Sequence, residues 1–376
     1  MAGIYIHIPF CKSRCIYCDF YSGTDFSFLN RYIDALCSEI AARKDYLNGA
    51  TIETVYFGGG TPSVLSSKHF EQIFEALEVN FGLSHCQELT LEANPDDMSD
   101  AFFRSIAPFP FNRLSMGVQS FNDAHLRFLH RRHTSNEAKD AIERAKRFGF
   151  DNISIDLMFG LPNQTIDDWQ ESLLQAIEQE VNHISAYHLI YEEGTPLWRM
   201  KEQGTVREID EELSVRMFEA LIDTLTQNGF EHYEISNFAL PEFRSRHNSS
   251  YWNATPYLGV GAAAHSYNGS ERSYNVADTL RFCEAMEQGL DCYEIEHLFR
   301  SERYDDMVIT ALRTCEGLAI EKVRTLFGAD YVDYLMQQAA PYLKSGQLRL
   351  TPTHLVLTRA GIFISDGIMS NLLRTE

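Results

Sequence analysis

The chain has 376 residues, of which 53 are acidic and 32 basic, and its net charge of −21 disfavours a surface that neutralises nucleic-acid phosphates. Hydrophobic residues make up 44% of the chain, but no segment approaches the roughly 20 apolar residues of a membrane-spanning helix. We therefore expect a globular protein with no transmembrane segment and no nucleic-acid partner.

The first residues lack the features of an export signal. The sequence runs from Met1 into IYIHIPF without a basic region, a long apolar stretch or a small-residue cleavage site. We therefore expect a cytoplasmic protein, whose cysteines stay reduced. Three of the eight cysteines lie within eight residues, a clustering typical of metal binding. The other five are interpreted as small core residues: Cys37, Cys86, Cys283, Cys292 and Cys315.

Short β-rich runs alternate with longer amphipathic stretches from the start of the chain. The six runs are 4–8, 51–57, 88–93, 113–118, 152–159 and 183–190. Two of the helices between them carry capping signals, Thr134-x-x-Glu137 and Thr165-x-x-Asp168. Strand–helix–strand repetition requires parallel strands with right-handed crossovers, and unusual residues follow the strand ends, as in barrel proteins. We predict an α/β fold, a partial (β/α)6 barrel.

The pattern changes in the second half of the chain. A helix predicted over 209–228 is followed by a stretch rich in Asn, Ser, Gly and aromatic residues, and after about residue 300 by helices and a hairpin around Pro352. We predict a barrel domain over 1–236, a connector over 237–300 and a small C-terminal α+β domain over 301–376.

The clustered cysteines, Cys11, Cys15 and Cys18, directly follow the first predicted strand with the spacing Cys-x3-Cys-x2-Cys. Structural zinc usually has four Cys or His ligands in paired sets, and the chain has no second set, although His7 could complete such a site. Three ligands can instead hold an iron–sulfur cubane with one iron left open to a small molecule. The spacing favours a 4Fe-4S cluster, with structural zinc as the alternative.

This spacing after an N-terminal strand resembles the signature of the radical-SAM family. The resemblance implies that the open iron binds the amino and carboxylate groups of S-adenosylmethionine and that Tyr17 packs on its adenine. Glycines after the second strand could simply form a tight turn, and polar residues after later strands could be solvated, but both match family motifs. The implied cofactor contacts are Tyr5, Gly59, Gly60, Thr61, Glu92, Gln119, Arg131 and Asp156; no catalytic residue is assigned.

Within this family, the chain resembles the branch that contains oxygen-independent coproporphyrinogen III oxidase and the haem chaperone HemW. The motifs are YIHIPFCKSRCIYCDF, GGGTPS, GVQSF, DLMFGLP, YHLIYEEGTPL and YEISNFA. The oxidase has a further cysteine where this chain has Phe20, and a long N-terminal extension where only ten residues precede Cys11. Both departures count against oxidase activity.

The segment Arg246-His247-Asn248-Ser249-Ser250-Tyr251-Trp252 contains the HNxxYW pattern and resembles the proposed haem-binding segment of HemW. Histidine can ligate haem iron, although a packed connector with a hydrogen-bonded histidine would explain the same residues. The resemblance favours His247 as the ligand, with His265 as the second candidate.

Together these features predict a haem chaperone that binds haem, a 4Fe-4S cluster and S-adenosylmethionine and passes haem to an acceptor protein, with an unidentified electron donor. The alternative is an oxygen-independent coproporphyrinogen III oxidase, which would decarboxylate two propionate side chains.

Overall fold

Six parallel strands form the centre of the fold in a computed structural model that describes residues 1–374. All six lie within two residues of the predicted runs, which confirms the six βα units. The strands are β1 (Ala2–Ile8), β2 (Ile52–Gly59), β3 (Glu88–Ala93), β4 (Arg113–Gln119), β5 (Ile153–Phe159) and β6 (His183–His188). They pair in chain order, each parallel to the next.

The helices that follow these strands cover the outside of the sheet. Both predicted capping boxes are present, at Thr134 with Glu137 and at Thr165 with Asp168, and the helix predicted over 209–228 is α8. The helices are α1 (Leu29–Ala42), α2 (Ser67–Phe81), α3 (Asp100–Ile106), α4 (Asp123–Phe128), α5 (Ser135–Arg147), α6 (Ile166–Glu178), α7 (Pro196–Glu202), α8 (Glu211–Gln227), α9 (Arg246–Trp252) and α10 (Thr279–Glu287). No helix within residues 1–374 is both long and apolar enough to cross a membrane.

The barrel is partial because its first and last strands do not pair with each other. The remaining strands of this sheet are β7 (Glu231–His232), β8 (Asn237–Ala239), β9 (Tyr257–Val260), β10 (His265–Tyr267), β11 (Glu271–Asn275) and β12 (Tyr293–His297). Strand β8 pairs antiparallel with β6, and β9 pairs parallel with β1. The result is a 12-stranded sheet in the order β12-β11-β10-β9-β1-β2-β3-β4-β5-β6-β8-β7. The predicted connector thus supplies strands to both edges of the barrel.

A separate hydrophobic core, which includes the buried Tyr304 and Leu335, lies in the C-terminal part of the chain. Its strands form a sheet in the order β13-β15-β14, which confirms the predicted α+β character. The elements are α11 (Arg300–Leu312), β13 (Leu318–Ala319), α12 (Ile320–Phe327), α13 (Ala329–Lys344), β14 (Leu348–Leu350), β15 (His354–Leu357), α14 (Arg359–Ile362) and α15 (Ser365–Leu372). The domain limits at 236/237 and 300/301 stay predictions, and residues 375–376 of the last domain lie outside the described chain.

The five cysteines outside the predicted cluster differ in exposure. Cys283 is buried, as predicted, and Cys37, Cys86 and Cys292 are half-buried. Cys315 is exposed, contrary to the core prediction, because it lies in the turn after α11, where Arg244 donates to its Sγ at 3.6 Å.

The buried carboxylate of Glu39 joins helix α1 to the strands that follow β9. It accepts hydrogen bonds from the Gly261 N–H and the Asn275 amide, both at 2.7 Å, and lies 3.4 Å from the Arg43 guanidinium. Burial raises the pKa of Glu39. A carboxylate with three such partners fixes the added strands against the helical layer of the barrel.

We expect the Glu39→Ala substitution to lower the free energy of unfolding by about 3 kcal/mol, because Arg43 loses its buried counter-charge. The midpoint of urea unfolding measures this loss. Glu75→Ala, on the exposed side of α2, is the control and should change stability by no more than about 0.5 kcal/mol. Equal midpoints for the two variants would contradict this role of Glu39.

Candidate functional site

The three clustered cysteines lie on one loop at the carboxyl end of β1. Backbone hydrogen bonds close the base of this loop, since the Cys11 N–H donates to the Gly23 carbonyl and the Gly23 N–H donates to the Pro9 carbonyl, each at 2.9 Å. All three thiols are free and half-buried. Their side chains are therefore carried on a short loop with fixed ends.

Polar groups from two neighbouring loops contact two of these thiols. The Thr61 hydroxyl donates to Cys11 Sγ and the Arg131 guanidinium to Cys15 Sγ, each at 3.4 Å. Burial, reinforced by Cys15 and Cys11, raises the pKa of Cys18 to about 11. Metal ligation deprotonates thiols, so a cation and a hydroxyl donor beside them suit a thiolate-bound cluster. Among residues 1–374, no three His, Cys, Asp or Glu side chains are arranged to hold a single metal ion.

Asn94, which the sequence analysis missed, connects the two sides of this arrangement. Its side-chain oxygen accepts from Arg131 at 2.5 Å, and its amide donates to the Thr61 hydroxyl at 3.1 Å. Arg131 also donates to the Gly117 carbonyl, while its buried Nε has no partner within the described chain. An unpartnered guanidinium N–H beside the thiols can bind a ligand carboxylate. The run of polar residues that follows β3 in the sequence could have identified Asn94 as a candidate site residue.

Gly59 and Gly60 allow the end of β2 to pack closely against β1. A Cβ on Gly59, whose φ is +107°, would lie 2.7 Å from the His7 ring, and one on Gly60 would lie 2.9 Å from the Ile8 carbonyl oxygen. The geometry thus gives both glycines a packing role that does not require a ligand. Their predicted contact with a cofactor stays a prediction.

The barrel encloses a pair of acidic side chains. The Tyr56 hydroxyl donates to Glu92 at 2.7 Å, and the ring of Tyr5 stacks on Tyr56 with centroids 6.1 Å apart. Burial raises the pKa of Glu92 to about 7, an effect that Asp156 reinforces, and burial raises the pKa of Asp156 to about 6. Both carboxyls therefore titrate near neutral pH and can exchange hydrogen bonds with ligand hydroxyl groups.

The carboxyl end of β4 brings Gln119 and Arg131 together. Gln119 has φ +66°, a left-handed conformation that is rare for residues other than glycine, where the β4–β5 register shifts. A Cβ on Gly117 would meet Gln119 Nε2 at 2.9 Å and Arg131 Nη2 at 3.1 Å. Tyr17 lies near Arg131 and Cys15, and burial raises its pKa. The left-handed backbone of Gln119 is a strained conformation, and strained conformations of this kind occur preferentially at functional sites.

His247 lies elsewhere, at the opposite end of the barrel. Its Nδ1 is 2.8 Å from the Thr54 hydroxyl, its Nε2 is 2.8 Å from the Tyr251 hydroxyl, and its ring stacks on Tyr56 at 5.1 Å. The Glu88 carboxylate accepts from the His247 N–H at 2.9 Å, at the start of α9. Helix α9 thus forms the floor of the barrel. Thr54 lies five positions before Gly59 in β2, which corresponds to about 17 Å of strand, and Gly59 is near the cysteine loop.

The other two histidines considered in the sequence analysis have different surroundings. His7 is buried and bonded through both ring nitrogens, to Tyr5 and to the Tyr21 carbonyl. His265, the second candidate for a haem ligand, is exposed at the start of β10. Only His265 of the two therefore has an imidazole open to a ligand.

Two family models match the chain. The model of the radical SAM superfamily matches residues 5–176, which include the cysteine loop and Arg131. The model of the HemN C-terminal domain matches residues 298–364. The matched residues thus cover most of the barrel and most of the part with the second core.

Relatives are similar over nearly the whole chain. A protein named heme chaperone HemW from Lactococcus lactis is 32% identical over 98% of this chain and 96% of its own length. The protein of the same name from Bacillus subtilis is 30% identical over 99% of both chains. Among solved structures, coproporphyrinogen III oxidase (HemN) from Escherichia coli superposes with a TM-score of 0.85, covering 99% of this chain and 89% of that chain.

The likeness to HemN, at 23% identity, is one of fold, whereas the likeness to HemW extends to sequence along the full length. Members of the radical-SAM family use a 4Fe-4S cluster with S-adenosylmethionine, and the free thiols, the unpartnered Arg131 N–H and the paired carboxyls fit those groups. The chain belongs to the HemW family of radical-SAM proteins.

Proposed function

We propose that this chain is a cytoplasmic haem chaperone, which binds haem and passes it to an acceptor protein. The similarity to HemW proteins over nearly the full length carries this proposal. The acceptor and an electron donor for the cluster complete the proposed set of partners.

In this proposal, Cys11, Cys15 and Cys18 hold three irons of a 4Fe-4S cluster. When bound, such a cluster supplies an electron to S-adenosylmethionine at its open iron. The side chains of this chain would bind and orient S-adenosylmethionine. The Nε of Arg131, which has no partner within the described chain, would bind its carboxylate, and Glu92 and Asp156 would accept hydrogen bonds from its ribose hydroxyl groups. Tyr5, Tyr17, Gly59, Gly60, Thr61 and Gln119 complete the proposed contacts.

Phe20, two residues after the last cysteine of the cluster, bears on the alternative function as an oxygen-independent coproporphyrinogen III oxidase. Phe20, which replaces the further cysteine of the oxidase, has 65% of its surface exposed. A side chain this open to water contributes no sulfur and little shielding to the mouth of the barrel, and radical chemistry requires water to be kept out.

The predicted ligation of haem by His247 stays a prediction. Both ring nitrogens are hydrogen-bonded, and burial, reinforced by the charge of Arg113, lowers the pKa of His247 to about 3. The neutral imidazole could ligate iron only after it leaves Thr54 or Tyr251. The same contacts support a second role, in which His247 holds the floor of the barrel together.

The first expected result is that anaerobically reconstituted protein binds about one haem per chain and makes no protoporphyrinogen IX. The measurement combines a haem titration, followed by absorption, with product analysis after addition of dithionite, S-adenosylmethionine and coproporphyrinogen III. A reaction without S-adenosylmethionine is the control. Product that depends on S-adenosylmethionine would show that the chain is an oxidase.

For the cysteine loop, we expect Cys15→Ser to abolish the brown absorption of the reconstituted cluster and the electron paramagnetic resonance signal of its reduced form, because one iron loses its thiolate. Cys315→Ser is the matched control, since this exposed cysteine lies far along the chain. If Cys15→Ser retained an unchanged cluster, the assignment of this ligand would be wrong.

For the barrel floor, we expect His247→Ala to lower the free energy of unfolding by about 2 kcal/mol, because the buried Thr54 and Tyr251 hydroxyl groups lose their partner. His247→Gln keeps a donor and an acceptor and should recover part of this loss while haem binding is retained. Loss of the haem spectrum in a stable His247→Gln protein would instead identify His247 as the ligand.

A further inference from the structure

A groove of about 700 Å³ lies between helix α10 and the strands β10 to β12. This volume is within the range of pockets that hold small molecules and cofactors. The groove lies beside the barrel and is separate from the residues proposed to hold the cluster and S-adenosylmethionine. Its walls combine aromatic and apolar side chains with one imidazole.

That imidazole belongs to His265, which directly opposes Tyr274 in the β10–β11 ladder. The two rings are 5.7 Å apart, and within residues 1–374 neither ring nitrogen of His265 has a hydrogen-bond partner. Unlike His247, this histidine can ligate iron without breaking a contact.

Two tyrosine side chains that line the groove have their positions fixed by contacts with charged side chains. The Tyr274 hydroxyl donates to Glu294 at 2.7 Å, and the Arg43 guanidinium lies over the Tyr293 ring at 4.6 Å. Leu290, which also lines the groove, leaves 55% of its surface exposed. Fixed aromatic rings next to exposed apolar surface suit a flat, largely apolar ligand.

The charges of the lining restrict the orientation of such a ligand. Arg281 forms no ion pair within the described chain, so it can bind a carboxylate. Glu284, Asp291 and Glu294 line the same groove and would repel a carboxylate. An anionic ligand must therefore direct its carboxylates towards Arg281 or the solvent.

Two contacts connect helix α10, which forms one wall of this groove, to the cysteine loop and to helix α1. Tyr21, three residues after Cys18, bonds through its hydroxyl to the Thr279 hydroxyl at 3.0 Å, at the start of α10. Arg31 forms a bidentate ion pair with Glu287 near the end of the same helix, at 2.5 and 2.7 Å. Helix α10 is thus attached at its start to the cysteine loop and near its end to helix α1.

We propose that this groove binds haem, with His265 as the axial ligand of the iron and Arg281 as the partner of a propionate. The proposal rests on the proposed chaperone function and specifies the haem site for it. The proposed haem site is formed by α10 and the strands β10 to β12 and includes no residue of α9.

The test is a haem titration of the full chain, compared with His265→Ala, and the matched control is His85→Ala, which removes another exposed histidine. We expect His265→Ala to weaken haem binding about tenfold or more and to change the haem absorption spectrum, and His85→Ala to match wild type. Added imidazole should restore the wild-type spectrum to His265→Ala. Arg281→Glu should weaken binding while leaving the spectrum unchanged.

The outcomes separate the two proposals. If wild type binds no haem, the chaperone function fails. If wild type binds haem and His265→Ala is indistinguishable from it, the site is elsewhere and this inference is overturned. A spectrum that changes only in Cys292→Ala would also overturn it, because Cys292 is the thiol in the groove; burial raises the pKa of this thiol to about 12, which disfavours the ligating thiolate.

Discussion

The six parallel strands of the barrel bury polar side chains on their inner face and apolar side chains on their outer face. In β1, for example, Ile4, Ile6 and Ile8 are fully buried against the helices, whereas Tyr5 and His7 point the other way. A buried polar group costs about 1–3 kcal/mol unless it is hydrogen-bonded. The inner residues must therefore bond to one another, as Ser154 does to His183 and His183 to Tyr233.

Within residues 1–374, buried groups without a partner remain at both ends of the barrel. They include the Nε of Arg131 beside the cysteine loop and the Nε and Nη1 of Arg113 at the start of β4. At the end opposite the cysteine loop, α9 closes the barrel, and burial, reinforced by the charge of Arg113, lowers the pKa of His183 and of His247 and so favours neutral imidazoles. A segment can thus carry a haem-binding pattern in sequence and still serve as the floor of a barrel.

Much of this arrangement could be predicted from the sequence because it depends on patterns among residues that are close together in the chain. Strand periodicity, the capping boxes at Thr134 and Thr165, and the cysteine spacing are all local patterns. The surroundings of His247 depend on Thr54, nearly two hundred residues earlier in the chain, and those of His265 depend on helix α10. Asn94 joins Thr61 to Arg131, three residues from three different loops. Such long-range contacts leave no periodic signal.

Strand β1 precedes the other described strands in the chain but lies in the interior of the sheet, between β2 and β9. Its residue Gly3 pairs with Tyr257, 254 positions later in the chain. At about 5–20 residues per second, the ribosome needs about 10–50 s to make the intervening segment. During that time one edge of β1 stays unpaired, and the cysteine loop that follows it lacks its attachment to α10. The strand order therefore leaves β1 and the cysteine loop without their final contacts until most of the chain has been made.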